Sequence, residues 1–310
     1  TVEAIPRVGK YYTFVYNAKT PNVQYDQHPL VAVTDLFRWG FRGINFHWQS
    51  SRNYTWEEVK DLSDKDPVVL LPLGAFEQHG KHLPLKVDEF MVNNIANESV
   101  KKSHQKNINA VVAPVIWSGY SPHHMDFPGT ISIKDETLTN VILDIVESLV
   151  KNKLERILIL NGHGGNIAIL KNVGQKLKYD KNIYIATASY WDFALKEINE
   201  WRDSDLGGIN HACEMETALM LHMQEEIVKK DKIVDNPLKR SSYTGVDLLS
   251  GGSVGVSASF KELSDHGVIG SPSLASKKKG TELYEIITDK VSDFIEDFSK
   301  WTKPLNGKNE

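Results

Sequence analysis

The sequence predicts an α/β fold, a three-layer α/β/α arrangement around a mostly parallel sheet. Three observations lead there. Short continuous apolar runs of the kind buried on both faces of a sheet recur along the chain, and segments with helical apolar spacing lie between them. Gly- and His-rich loops follow two of those runs, where ligands of an open α/β sheet bind, beyond the carboxyl ends of its strands.

In chain order, residues 1–55 read as an aromatic-rich N-terminal arm of irregular texture. Tyr11, Tyr12, Phe14, Tyr16, Phe37, Trp39, Phe41, Phe46 and Trp48 stand among polar, Gly and Pro positions. Such aromatic density is too high for a disordered tail, so an ordered arm is expected, packed on the main body or on a neighbouring subunit. Residues 56–310 form the main domain. Pro67 to Leu73 is a continuous apolar run and predicts a strand, as do Ala110 to Trp117 and Arg156 to Leu160. Asp135 is placed to cap a helix whose apolar residues Leu138, Val141, Ile142, Ile145 and Leu149 fall at helical spacing. A helix is expected from about Asn166 to Lys178, a strand from Ile183 to Ala188, and a long helix from about Ser276 to Trp301. Within the last, Lys277, Lys278 and Lys279 read as a solvated face.

Composition narrows the function. The 310 residues carry 36 Lys plus Arg against 40 Asp plus Glu, a net charge of -4, so no basic excess points to nucleic acid or an anionic membrane. No stretch approaches the length of a membrane span, and the start, Thr1-Val2-Glu3-Ala4-Ile5-Pro6, lacks the charged and apolar regions of a signal peptide. The first residue is not Met; a cytoplasmic location is expected, with export after cleavage left open. Eleven His stand beside one Cys, Cys213. A single cysteine excludes a disulfide framework and Cys-rich zinc sites, so a metal site here is built from His and carboxylates, as hydrolytic centres are.

Three segments carry chemistry. The first runs Leu73-Gly74-Ala75-Phe76-Glu77-Gln78-His79-Gly80-Lys81-His82-Leu83-Pro84-Leu85 and is followed by Asp88. In extended chain, residues two apart point to the same side, so Glu77 and His79 could hold two neighbouring metal ions with Asp88 as a bridge. The alternative is a surface turn with a charged pair, but burying Glu, His and Asp together without cations is costly. The second is Asn161-Gly162-His163-Gly164-Gly165-Asn166, where glycines let the backbone turn sharply and present one imidazole at the sheet edge. It lacks the Lys-Ser/Thr ending of a phosphate loop. The third, His211-Ala212-Cys213-Glu214-Met215-Glu216-Thr217, reads as a helix start. Glu214 and Glu216 are about 200° apart on a helix and cannot face one site. Glu216 shares an apolar face with Ala212, Leu219, Met220 and Met223, and a buried carboxylate there needs a metal or a catalytic His. Glu214 reads as facing solvent or supporting the site from beside His211, and Cys213 as a small packed residue.

These three segments resemble the creatininase (creatinine amidohydrolase) family. Ser121-Pro122-His123-His124-Met125-Asp126-Phe127-Pro128-Gly129-Thr130 and Gly267-Val268-Ile269-Gly270-Ser271-Pro272 resemble it too, so the likeness spans about Trp56 to Trp301. The resemblance implies a three-layer subunit, a homohexamer and a dinuclear centre of divalent ions, Zn, Mn or Fe. It implies that Glu77 and His163 bind one metal, that His79 binds the other, that Asp88 bridges them, and that His211 is the catalytic histidine. One departure matters: creatininase has a Glu two residues after the His of the second motif, serving the second metal, where this chain has Gly165. Glu216 is the expected replacement, acting as ligand and catalytic group, with Glu214 as the fallback.

The expected reaction is hydrolysis of a small cyclic amide or related C–N bond by metal-activated water, with His211 as general acid and base. Hydrolysis of a C–C bond in a cyclic diketone from inositol breakdown is the alternative, and a non-catalytic metabolite-binding protein of the same fold is a third reading. His124 and Trp191 are expected to touch substrate, and Trp117 and Tyr120 could also wall the pocket. His123 and His82 read as supporting groups; His28, His47, His104, His222 and His266 read as ordinary positions.

Overall fold

The structure, a computed structural model, describes residues 11–13, 30–37, 40–45, 54–239, 243–245 and 247–302. The chain divides into two compact units, Thr1–Asn53 and Tyr54–Glu310. In the first, β1 (Tyr11–Thr13), β2 (Leu30–Phe37) and β3 (Gly40–Asn45) form an antiparallel sheet in that order. This corrects the irregular texture expected of residues 1–55: the β-branched run around Val31 and Val33 pairs with β3, and Phe37 opposes Gly40 where the chain reverses. Phe14, Tyr16, Trp39, Phe46, Trp48, His28 and His47 lie outside the described residues, as does the packing of the arm.

The second unit opens with α1 (Trp56–Ser63), closed at its start by a capping box in which Thr55 accepts from Glu58 and Glu58 reaches back. Then come β4 (Val68–Leu73), α2 (Val87–Gln105), β5 (Ala110–Val112), α3 (Asp135–Lys151), β6 (Arg156–Asn161), α4 (Ile167–Lys181) and β7 (Ile185–Ser189). The four strands make one parallel sheet in the order β5-β4-β6-β7. Alternation along β4 divides the core. Val68 and Leu70 pack toward Met91, Val92 and Ile95 of α2, whereas Val69, Leu71 and Leu73 pack toward Leu138 and Ile142 of α3 and Val173 of α4. Each such side chain buried contributes roughly 1.5–3 kcal/mol, and apolar residues on both faces explain why the strands read as unbroken runs.

The remaining elements are α5 (Leu195–Trp201), β8 (Ile209–His211), α6 (Glu214–Gln224), α7 (Phe260–Leu263), β9 (Ile269–Gly270) and α8 (Lys277–Ser299). β8 and β9 pair antiparallel, and the long α8 packs with α2 and α6 on one face of the sheet. The three-layer α/β/α fold is thus present.

Several local expectations are corrected. The strand from Ala110 ends at Val112, because Pro114 has no N–H for the ladder; Ile116 alone pairs again, with Leu73. Lys134, not Asp135, is the N-cap of α3, and Asp135 is its first residue with no side-chain cap bond; its carboxylate acts on the positive end of the helix dipole. Lys279 is not solvated: it lies over the Trp201 ring and pairs with Asp203 and the buried Glu214. Lys277 pairs with Glu225. The 19-residue α2 is hard to see in sequence, since its buried positions include Asp88, Ser99 and Ser103; the two serines donate back to Ile95 and Ser99 carbonyls and so need no polar surroundings.

Candidate active site

The register of the sheet builds the site. Leu73 at the end of β4 lies opposite Asn161 at the end of β6, so the loops after the two strands leave at one height. The first holds Glu77 and His79, the second His163. Glu77 N–H donates to Leu85 O at 2.9 Å, which folds the first loop back on itself. Asp88 arrives in the first turn of α2. The loop of His163 is braced by two amides: Asn161 donates to His163 O at 2.7 Å and accepts its N–H at 3.1 Å, and Asn166 donates to Gly74 O at 3.1 Å. Behind it, Gly165 leaves room for the Tyr120 carbonyl, which a Cβ at 165 would approach to 2.3 Å. From the far side, β8 delivers His211 and α6 delivers Glu216. Between them Ala212 takes a left-handed φ of 49°, so the helix begins only at Glu214 and Ala212 does not share the face of Glu216.

All six groups are buried. Asp88 sits in the middle, Oδ1 at 3.0 Å from His79 Nε2 and Oδ2 at 3.2 Å from His163 Nδ1. Glu77 Oε1 lies 3.3 Å from His163 Nδ1, 3.1 Å from His124 Nε2 and 3.7 Å from His211 Nδ1. Glu216 Oε1 lies 3.8 Å from His79 Nε2. Ligand-capable atoms of Glu77, Asp88 and His163 fall within 4.8 Å of one another, as do those of His79, Asp88 and Glu216, so Asp88 belongs to both triads; Glu77, His79 and His211 form a third.

The donor set fits divalent cations. Both Glu77 oxygens and Asp88 Oδ2 are buried without a hydrogen-bond donor, which is costly unless a cation compensates. The outer nitrogens of the two histidines are held by backbone carbonyls: His79 Nδ1–H donates to Glu77 O at 3.1 Å and His163 Nε2–H to Tyr120 O at 3.1 Å. Their inner nitrogens then point at carboxylates, the arrangement that orients imidazole ligands. Electrostatics agree. Against burial, Asp88, then Glu216 and Glu77, hold His79 up at about 9, and Glu77 and Asp88 hold His163 well above its usual value. Burial raises Glu77, and it raises Glu216 to about 7. Against burial, His79 and His163 hold Asp88 well below the usual carboxylate range, whereas Glu77 and Glu216 draw protons where cations would serve better.

Glu214 stands apart from this cluster. Its oxygens accept the Asp203 and Ser204 N–H groups at 3.0 Å each and pair with Lys279. Cys213 is fully buried, its thiol 3.9 Å from Glu216 Oε2. A cavity of about 220 Å³ opens onto the cluster, and His124 and Trp191 both line it, together with His123, Leu248 and Phe260. Trp117 is half-exposed and packs edge-on against Phe76, and Tyr120 contributes its carbonyl rather than its ring. His82 bonds Thr217 and His104 bonds the Ala110 carbonyl. Gln78, Leu248 and Phe260 were not singled out from sequence. Gln78 had a signal, standing between Glu77 and His79; Phe260 had none.

A family profile described as creatininase, creatinine amidohydrolase, matches residues 52–295. The chain is similar to the creatinine amidohydrolase of Pseudomonas putida, 28% identical over 259 residues that cover 78% of this chain and 94% of that protein. It is 29% identical over 249 residues to the mycofactocin precursor peptide peptidase of Mycolicibacterium smegmatis, covering 80% and 91%. It is 25% identical over 259 residues to the 3-dehydro-scyllo-inosose hydrolase of Thermotoga maritima, covering 78% and 81%. Among solved structures, one described as creatininase with Mn superposes with a TM-score of 0.65 at 27% identity, covering 79% of this chain and 96% of the other.

Proposed function

The chain belongs to the creatininase family of hydrolases, and from that premise we propose that it uses two divalent ions, Zn, Mn or Fe, to hydrolyse a small cyclic amide or related C–N bond. The observation that carries this reading is Asp88, shared by two buried triads whose other members are Glu77 with His163 and His79 with Glu216. In this reading Glu216 supplies the carboxylate that the glycine at 165 lacks. When bound, such ions lower the pKa of water and polarise a carbonyl.

The chain's own residues do the rest. His211 Nε2–H donates to Gln78 O at 2.7 Å, which holds the ring with Nδ1 toward Glu77 and the cavity. From there Nδ1 accepts a proton from the attacking water and returns it to the leaving nitrogen. His124, Trp191 and Phe260 line the space beside it, and a cavity of about 220 Å³ has room for a small molecule. Subunits assembled as a homohexamer and a cytoplasmic location belong to the same proposal. Among the described residues no helix is long and apolar enough to cross a membrane.

A second reading, hydrolysis of a C–C bond in a cyclic diketone, draws on the likeness to the Thermotoga maritima hydrolase. One experiment separates these readings and the non-catalytic one. Protein purified without chelator is expected to carry about two divalent ions per chain and either to open the creatinine ring to one product bearing both a new carboxylate and the freed nitrogen, or to release amine from formamides or short peptides. A new carboxylate without nitrogen release from oxidised inositols supports the second reading, and a protein without divalent ions overturns both.

A further inference from the structure

We propose that Gln78 is a positioning residue that decides what each of two neighbouring imidazoles presents to the cavity: its side-chain amide makes His124 present an N–H, and its backbone carbonyl makes His211 present a lone pair. The catalytic use of this arrangement rests on the hydrolase reading above, whereas the arrangement itself rests on hydrogen bonds.

Gln78 is buried and its amide is held at both ends. Oε1 accepts the Gly80 N–H at 2.9 Å, so Nε2 is the atom 3.0 Å from Gly267 O. Gly267, at φ +78°, is what admits it, since a Cβ there would stand 1.9 Å from Gln78 Oε1. The second hydrogen of Nε2 meets His124 Nδ1 at 2.9 Å. Nδ1 must therefore accept, and in the neutral ring the proton sits on Nε2. That Nε2 lies 3.1 Å from Glu77 Oε1.

His211 is arranged the other way round. Its Nε2 lies 2.7 Å from Gln78 O and 3.1 Å from Gln78 Nε2, and it can serve only one of them. Both amide hydrogens are already committed to Gly267 and His124, and a lone pair on Nε2 would repel the nearer carbonyl. Nε2 therefore donates to Gln78 O and Nδ1 keeps the lone pair, 3.7 Å from Glu77 Oε1. The two rings lie 4.5 Å apart, and Phe260 covers both, at 4.0 Å from His124 and 4.8 Å from His211.

Two adjacent histidines of one residue type thus acquire opposite duties. A metal ligand needs a lone pair, so the N–H of His124 takes it out of the ligand set and sets a donor beside Glu77 Oε1. His211 remains the proton acceptor. One residue between Glu77 and His79 links the metal ligands to the groups that would handle substrate.

The test is tautomer mapping by long-range proton–nitrogen correlation on full-length protein with ¹⁵N-labelled histidine, loaded with zinc(II) alone. His124→Gln and His211→Gln assign the signals. Both rings are expected as single Nε2–H tautomers. In Gln78→Met, His124 is expected to lose its single tautomer and become a mixture, while His211 keeps its own, because the backbone carbonyl remains, and zinc content is unchanged. A Nδ1–H tautomer for His124 in the unsubstituted protein, or an unaltered single tautomer in Gln78→Met, overturns the proposal. Should that variant not fold, the unsubstituted spectrum decides by itself. Expected tautomers in a protein that takes up no zinc support this inference and sink the hydrolase reading alone.

Discussion

Asp88 is the residue on which the proposed centre turns, because its two oxygens face different histidines, His79 and His163. Asp88→Asn is therefore expected to lose both ions, whereas Glu216→Gln, at the edge of one triad, is expected to lose one of two. Elemental analysis of the purified variants checks this, and an Asp88→Asn protein that keeps two ions removes the bridging role. Gly165 is a residue-scale constraint of another kind. A methyl group at 165 would press on the Tyr120 carbonyl and on His163 Nε2, the very pair that orients the imidazole. Gly165→Ala is expected to cost about 1–3 kcal/mol of stability by overpacking, read from denaturant unfolding, and to weaken metal retention with it. The position where creatininase has a Glu thus has no room here for any side chain.

At the scale of elements, one salt bridge ties the start of α6 to the start of α8. Glu214 is fully buried and Lys279 partly so, and Asp203 and Ser204 complete the carboxylate's partners. Lys279→Met leaves the carboxylate buried with two backbone donors and no cation. Breaking such a pair from one side typically costs about 3–5 kcal/mol, and urea unfolding should show a loss near the lower end, since the backbone bonds remain. Removing an exposed partner such as Lys101, paired with Glu98 on α2, should by contrast change stability by under about 0.5 kcal/mol. Because α6 also carries Glu216, this bridge holds a candidate ligand in place through its helix rather than by touching it.

At the scale of the second unit, the candidate ligands come from four places: the loop after β4, the first turn of α2, the loop after β6, and the β8–α6 junction. Ions bound there would cross-link distant parts of the chain and favour the folded state by mass action, about 4 kcal/mol when free metal is a thousandfold above Kd. A chelator is expected to lower the thermal midpoint by roughly 5–15 °C for a unit of this size, reversed on adding back metal. An unchanged midpoint after verified metal removal contradicts a centre that links these segments.

The strands and the loops between them were legible in the sequence, since an unbroken apolar run such as Val68 to Leu73 has few other places to go than a sheet covered on both sides. Glu77, His79 and Asp88 were likewise legible as a set from residue type and spacing, whereas only the resemblance to the creatininase family implied that His163 and His211 join them. What the sequence could not decide is which way side chains turn when their partners are far away in the chain. Glu216 rather than Glu214 faces His79, because Ala212 turns the chain before the helix starts and because Lys279, sixty-five residues on, claims Glu214. Gln78 became visible only when His124, His211 and Gly267 were brought around it. Local pattern determined where buried strands and ligand-bearing loops lie, because hydrophobic burial and backbone turns act over a few residues. Tertiary structure alone decided the partners of buried charges and the faces of the imidazoles, because those are set by hydrogen bonds and ion pairs that close only when the whole unit is folded.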